Sequence, residues 1–178
     1  MERLMKVKIG KYPTHRWYHN FLYKLGIKNE PKVSVHIDDF DTWSMDHTLA
    51  HIILPMLVQL KASKHGAPDV DNKDVPKELR SELVDDNICP THFDKWDWVM
   101  GEMIFAFESK REDWEEQFQS GEHDIHWIEL TEGYEGMSEM VKGPNDTFEI
   151  DWKGRTAYQK RISNGFRLFG KYYENLWD

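Results

Sequence analysis

The stretch Arg155-Thr156-Ala157-Tyr158-Gln159-Lys160-Arg161-Ile162-Ser163-Asn164-Gly165-Phe166-Arg167-Leu168-Phe169-Gly170-Lys171-Tyr172-Tyr173-Glu174-Asn175-Leu176 decides the fold. Tyr158, Ile162, Phe166, Phe169, Tyr173 and Leu176 recur at three- and four-residue steps, which places them on one stripe of a helix. A helix of this kind draws most of its stability from whatever covers the stripe. The matching cover lies upstream. Phe93, Trp96, Met100, Met103, Ile104 and Phe107 repeat the spacing on a helix expected from Thr91 to about Phe118, with Thr91 and Asp94 resembling a capping box and Ser120-Gly121 as the stop.

Working outward, a third helix is expected from Ser44 to Lys64, with Leu49, Ile52, Ile53, Met56, Leu57 and Leu60 facing inward. Pro55 removes one of its backbone bonds and should kink it. A short fourth helix, capped by Thr14 and closed by Gly26, carries Trp17, Phe21 and Leu25 on one stripe. The runs Lys6–Gly10 and Lys32–Ile37 alternate and read as strands. Asp124–Leu130 and Thr147–Trp152 read as two strands of a hairpin, joined by an exposed loop over about 131–146. Gly66, Pro68, Pro76 and Pro90 punctuate a long ordered loop over 65–91, with one helical turn from Lys77 to Leu83. The sum is one helix-dominated α+β domain over 1–178, three to four helices packed on a small antiparallel sheet.

Composition excludes several classes. The 178 residues hold 23 Lys+Arg against 32 Asp+Glu, a formal charge of −9. That charge is segregated: residues 1–36 carry +6, residues 37–151 carry −19 and residues 152–178 carry +4. A single cysteine, Cys89, rules out an intramolecular disulfide framework and a cysteine-rich zinc site. No apolar run approaches the roughly 20 residues a membrane span needs, and the first residues lack a signal-peptide core. The expectation is therefore a soluble intracellular protein with no membrane partner. Duplex nucleic acid is disfavoured by the net charge and by the lack of one long basic stripe. Mimicry of DNA has the right sign, but the interspersed cations weaken it.

Two constellations bear on chemistry. Arg155, Lys160, Arg161, Arg167 and Lys171 interleave with Tyr158, Phe166, Phe169, Tyr172 and Tyr173 on the last helix. Guanidinium forks beside aromatic faces suit a phosphate-bearing base, by bidentate pairing and by stacking. Trp43, His47, Lys61, Lys64 and His65 on the helix after Trp43 extend the set. The expected ligand-binding residues are therefore Trp43, His47, Lys61, Lys64, His65, Arg155, Arg161, Arg167, Lys171 and Tyr172. The competing reading is that these cations snorkel over the core or pair with the acidic middle of the chain.

The second constellation is Asp41, Asp46, His47 and His51, with the two histidines at i, i+4 on one helix face. Hard oxygen donors beside imidazoles can hold a divalent metal. The residues between His47 and His51 lack the glutamate base of the zincin pattern, and capping by Asp38, Asp39 and Asp41 accounts for the same carboxylates. No Walker loop, dinucleotide fingerprint or nucleophile elbow is present, so a conventional enzyme signature is absent and no cofactor is expected.

Several motifs are distinctive together: Asp41-Thr42-Trp43-Ser44-Met45-Asp46-His47-Thr48-Leu49-Ala50-His51-Ile52-Ile53-Leu54-Pro55, then Lys64-His65-Gly66-Ala67-Pro68, Asp74-Val75-Pro76, Phe93-Asp94-Lys95-Trp96-Asp97-Trp98 and the run Tyr158–Trp177. From about residue 32 onward the chain resembles a family of hypothetical proteins encoded by tailed bacteriophages. The resemblance implies a phage gene product acting in the infected bacterial cytoplasm or built into the virion. It supplies no activity and no catalytic residue. The leading expectation is a non-enzymatic accessory protein that binds or sequesters a small anion, a nucleotide or a nucleotide-derived host immune signal. The alternatives are a metal-dependent hydrolase built on the Asp/His set, a host-takeover factor that binds a host protein, and a virion component. A homo-oligomer is compatible with each.

Overall fold

The computed structural model describes residues 7–9, 17–26, 33–81, 89–130 and 136–177. They fall into two compact units, Met1–Ile52 and Ile53–Asp178. The architecture is α+β, helix-dominated and antiparallel in every strand pairing, as the periodicities predict. The described strands make three separate two-stranded ladders rather than one sheet.

In the first unit, β1 (Val7–Ile9) pairs with β2 (Val33–Val35), Val7 standing opposite Val35 and Ile9 opposite Val33. Both lie inside the predicted alternating runs. Helix α1 (His19–Lys24) closes at Gly26, whose φ of 75° is the left-handed conformation glycine adopts freely. Thr14, the expected cap, lies outside the described residues. The helix is shorter than expected: of Trp17, Phe21 and Leu25 only Phe21 lies within α1, and all three are exposed. The aspartate knot folds on itself. The Asp38 side chain accepts from the Phe40 N–H (3.3 Å) and the Asp41 carboxylate accepts from the Asp38 N–H (2.8 Å), a capping box on the 3-10 helix Asp39–Thr42. The Thr48 hydroxyl donates to the Asp41 carbonyl (3.0 Å) and so fastens this turn to the start of α2 (Met45–Ser63).

The division between the units falls inside α2. Its buried residues are Ala50, Leu54 and Leu57, an i, i+4, i+7 row, whereas Leu49 and Met56 are exposed. Consecutive helical residues turn by about 100°, so the apolar run Ile52–Val58 wraps the helix and cannot all face one side. Pro55 sits within the helix on an exposed position.

In the second unit, α3 (His92–Ser109) packs on α4 (Trp152–Lys171). Trp96, Val99, Met100, Met103, Ala106 and Phe107 are buried from α3, and Ile162, Gly165, Leu168 and Tyr172 from α4 and its C-terminal end. Burying a Leu, Met or Ile side chain is worth about 1.5–3 kcal/mol, which makes this the dominant stabilising contact. The buried row of α4 is rotated from the predicted one. Tyr173 is exposed, and Phe166 and Phe169 flank the core by meeting Phe107 edge-on at 5.1 and 5.0 Å. The reason is Gly165: a Cβ there would meet the Glu102 carbonyl oxygen and lie 2.6 Å from the Ala106 Cβ. The two backbones touch at a glycine, which apolar counting skips.

Helix α3 stops at Ser109 rather than Phe118. The Ser109 hydroxyl bonds back to the Phe105 carbonyl (2.8 Å), and the chain then turns so that Trp114 stacks on Tyr158 at 5.1 Å. Thr91 makes no capping bond; its hydroxyl donates to the Leu79 carbonyl (2.9 Å) instead. The segment expected as a long loop holds two short 3-10 helices, Asn72–Asp74 and Lys77–Leu79, and buries Val70, Asp74 and Val75. Residues 82–88, which include the end of the turn predicted from Lys77 to Leu83, lie outside the described set.

The strands that follow are β3 (Gln119–Ser120), β4 (Ile125–Glu129), β5 (Ser138–Lys142) and β6 (Glu149–Ile150). The expected hairpin is corrected: β4 pairs with β5, inside the stretch read as loop, and β6 pairs with β3. The β4–β5 ladder forms five residue pairs across the nearer connection in sequence, and β6 takes two residues of β3. No helix among the described residues is long and apolar enough to cross a membrane.

Candidate functional site

The predicted anion-binding cations of the second unit are mostly matched by carboxylates of the same unit. Arg161 grips Glu102 through three bonds, Nε to Oε1 at 3.1 Å and to Oε2 at 3.0 Å and Nη2 to Oε1 at 2.7 Å, with its guanidinium 3.7 Å from the Phe105 ring centre. Arg155 pairs with Glu115 at 2.8 Å, and Lys64 with Asp97 at 2.6 Å. Arg167 donates to Asp74 at 2.7 Å, Lys171 contacts both Asp74 and Asp71, and the Tyr172 hydroxyl donates to Asp74 at 2.8 Å. His65 is engaged as well. Lys61 reaches toward α3, its Nζ 3.2 Å from where a Cβ on Gly101 would lie. Trp43 and His47 belong to the first unit and are exposed.

Asp74 is therefore the hub that sequence reasoning missed. Burial pushes its carboxyl up, but hydrogen bonds from Lys171, Tyr172 and Arg167 more than offset this and hold it below the ordinary carboxylate value. The same contact raises the Lys171 ammonium. Burial first, and then the Asp74 bond, raises the Tyr172 phenol. Asp74 sits in a non-periodic segment, so the clues in the sequence were its place in the Asp74-Val75-Pro76 motif and the opposition of charge between the middle of the chain and its end.

The expected metal set lies within the first unit but is drawn to other tasks. Asp41 is spent on the capping box, Asp46 has partners of its own, and His47 and His51 are exposed on α2. Among the described residues no three His, Cys, Asp or Glu side chains converge on a common point able to hold a metal.

Cys89 is buried just before α3, its sulfur in contact with the hydroxyls of Ser81 and Thr91 (3.2 Å to Thr91). Those hydroxyls stabilise the thiolate and bring its pKa down to about 7. An open cavity of about 330 Å³ lies beside the β3–β6 ladder, lined by Gln117, Phe118, Gln119, Ser120, Glu149, Ile150 and Asp151. Its lining offers amides and carboxylates but no cation.

What both units display instead is apolar surface. In the first unit Trp17 is 87% exposed and Trp43 is 88% exposed, and Phe21, Leu25, Ile37 and Phe40 also face solvent. In the second, the β4–β5 ribbon exposes Ile125, Trp127, Ile128 and Met140. The base of the ribbon is closely tied. Asp124 accepts from the Asn145 N–H (3.0 Å), its own N–H donates to Asp146 (3.3 Å), and the Gly143 N–H donates to its carbonyl (2.7 Å). A Cβ at Gly143 would meet the Asp124 carboxylate and come 2.6 Å from His126 Nε2, so those side chains would have to shift to admit one. Comparison with protein-family models, curated proteins and solved structures finds no match.

Proposed function

We propose that this chain is a non-enzymatic protein-interaction module, with a host protein as the partner that its resemblance to phage-encoded proteins suggests. The observation that carries this reading is the solvent-facing set Trp17, Phe21, Leu25, Phe40 and Trp43 in the first unit. Covering one such side chain is worth about 1.5–3 kcal/mol, so five left open forfeit an amount comparable with the roughly 5–15 kcal/mol net stability of a whole domain. Large apolar groups left open to water favour a partner that covers them. A small-anion site, the first expectation from sequence, would draw mostly on cations already matched by Asp74, Glu102, Glu115 and Asp97.

The test is affinity capture from bacterial lysate, quantified against a variant carrying Trp17→Ser, Phe21→Ser and Trp43→Ser, with a thermal-shift screen of nucleotides alongside. The reading expects a stoichiometric protein partner whose recovery falls in the variant. Equal recovery in both, with stabilisation by a nucleotide, would refute it and return the small-anion reading.

A further inference from the structure

The β4–β5 ribbon is a sheet that stops at two strands. Its five residue pairs run from Ile125 opposite Lys142 to Glu129 opposite Ser138, and neither strand has another neighbour among the described residues. Alternation puts Ile125, Trp127 and Glu129 on one face with Lys142, Met140 and Ser138. At the centre of that face Trp127 and Met140 are direct cross-strand partners, 68% and 57% exposed. An isolated two-stranded ribbon is marginal in water, and its open edges are templates for a further strand. Here the corner bonds of Asp124, Asn145, Asp146 and Gly143 hold the ribbon ready without one.

The charge of the segment that carries it points to the partner. Residues 112–151 hold thirteen carboxylates and one lysine, a net of −12. The lysine, Lys142, is already paired with Asp146 at 3.1 Å. Glu129 and Glu139 are exposed on the ribbon itself, and Glu122, Glu149 and Asp151 are exposed nearby in sequence. A field of this sign repels a second copy of the same ribbon and any nucleic acid, and it attracts cationic chains.

We infer that the β4–β5 ribbon is a docking edge for an extended Lys/Arg-rich segment of a partner protein, which adds as a third strand. Main-chain bonds along the open edge supply the register, Trp127 and Met140 cover the apolar residues of alternate positions, and the surrounding carboxylates pair the cations between them. This rests on the protein-interaction reading above and adds to it the surface and the chemistry of the partner.

The experiment uses the full chain and a synthetic end-capped peptide alternating lysine with valine over about ten residues, compared with one N-methylated at alternate positions. Calorimetry with the alternating peptide should show saturable binding that weakens as salt rises from about 0.05 to about 0.5 M. Trp127→Ala should weaken it about tenfold or more, the range for an exposed aromatic anchor. Glu139→Lys should weaken it without touching an apolar residue, and N-methylation should abolish it by removing the main-chain donors. Equal binding of both peptides, or indifference to both Trp127→Ala and Glu139→Lys, would overturn the inference in favour of undirected charge attraction. Concentration-dependent dimerisation lost in Trp127→Ala would overturn it in favour of a second copy. A lysate partner lost in the Trp17/Phe21/Trp43 variant but kept in Trp127→Ala would overturn the ribbon assignment while leaving the broader protein-interaction reading intact.

Discussion

Two glycines of α4 make a matched test of how closely α3 and α4 approach. Gly165 is buried, and a Cβ added to it meets the Glu102 carbonyl oxygen and lies 2.6 Å from the Ala106 Cβ. Gly170, five residues on in the same helix, has nothing within 4 Å of an added Cβ. Replacing either by alanine gains up to about 1 kcal/mol of helix propensity. At Gly170 that gain is the whole effect, so Gly170→Ala should stabilise by about 0.5–1 kcal/mol. At Gly165 the obstacle is backbone, which cannot rotate aside. The helices must then separate and loosen the rows formed by Met103, Ala106, Ile162 and Leu168. Overpacking of this kind costs about 1–3 kcal/mol and more where backbone must move, so Gly165→Ala should lose about 2 kcal/mol net. For a chain of this size that lowers Tm by about 4–8 °C, while Gly170→Ala raises it by about 1–4 °C. Thermal and urea unfolding of the two single variants beside the parent measure both signs. If Gly165→Ala matched or exceeded the parent, the α3–α4 contact described above would be wrong.

Three further outcomes follow from named contacts. Asp74→Asn should cost about 1.5–3 kcal/mol, the span for hydrogen bonds to a charged group. Because the folded Asp74 carboxyl is held below its ordinary 3.8, its contribution is present above that value and is lost as pH falls through the lower folded value. The variant should therefore show a shallower loss of stability in acid unfolding below about pH 4 than the parent, and equal slopes would refute the role given to Asp74. Arg161→Ala leaves the mostly buried Glu102 carboxylate without its bidentate partner; it should destabilise by about 2 kcal/mol after allowance for the half-exposed guanidinium, whereas the Arg161→Ala/Glu102→Gln pair should recover part of that in chemical denaturation. The rate of Cys89 alkylation should rise through a midpoint of about 7, shifting upward in Ser81→Ala, which removes the leading hydrogen bond to the sulfur; an unchanged midpoint would separate the thiol from Ser81.

How much was legible without coordinates differs element by element. The runs around Val7–Ile9 and Val33–Val35 alternate because one side of a strand differs from the other, and they pair as strands. Trp96, Met100, Met103 and Phe107 repeat at helical steps because a helix buries one side, and all four are buried. The rotation of α4 was illegible because its central contact is a glycine, and absence of a side chain leaves no hydrophobic mark. The exchange of hairpin partners was illegible because pairing is a competition between distant segments. Ser138–Lys142 alternates no more strongly than the segment it displaced.

The candidate site divides in the same way. Charge content and its segregation along the chain belong to the sequence alone, as do the repeat Trp96, Met100, Met103 and Phe107 on α3, capping by the aspartates around Asp38, and the turn at Gly26. All of these depend on neighbours within a few residues. Whether Arg161, Arg167 and Lys171 wait for an anion or hold one already depends on Glu102 and Asp74, which lie 59, 93 and 97 positions away along the chain. Only the packing of α3, α4 and the segment before α3 brings those carboxylates within reach. Charge is a property of residues, but whether it is satisfied is a property of distance, and distance between remote residues exists only in the folded chain.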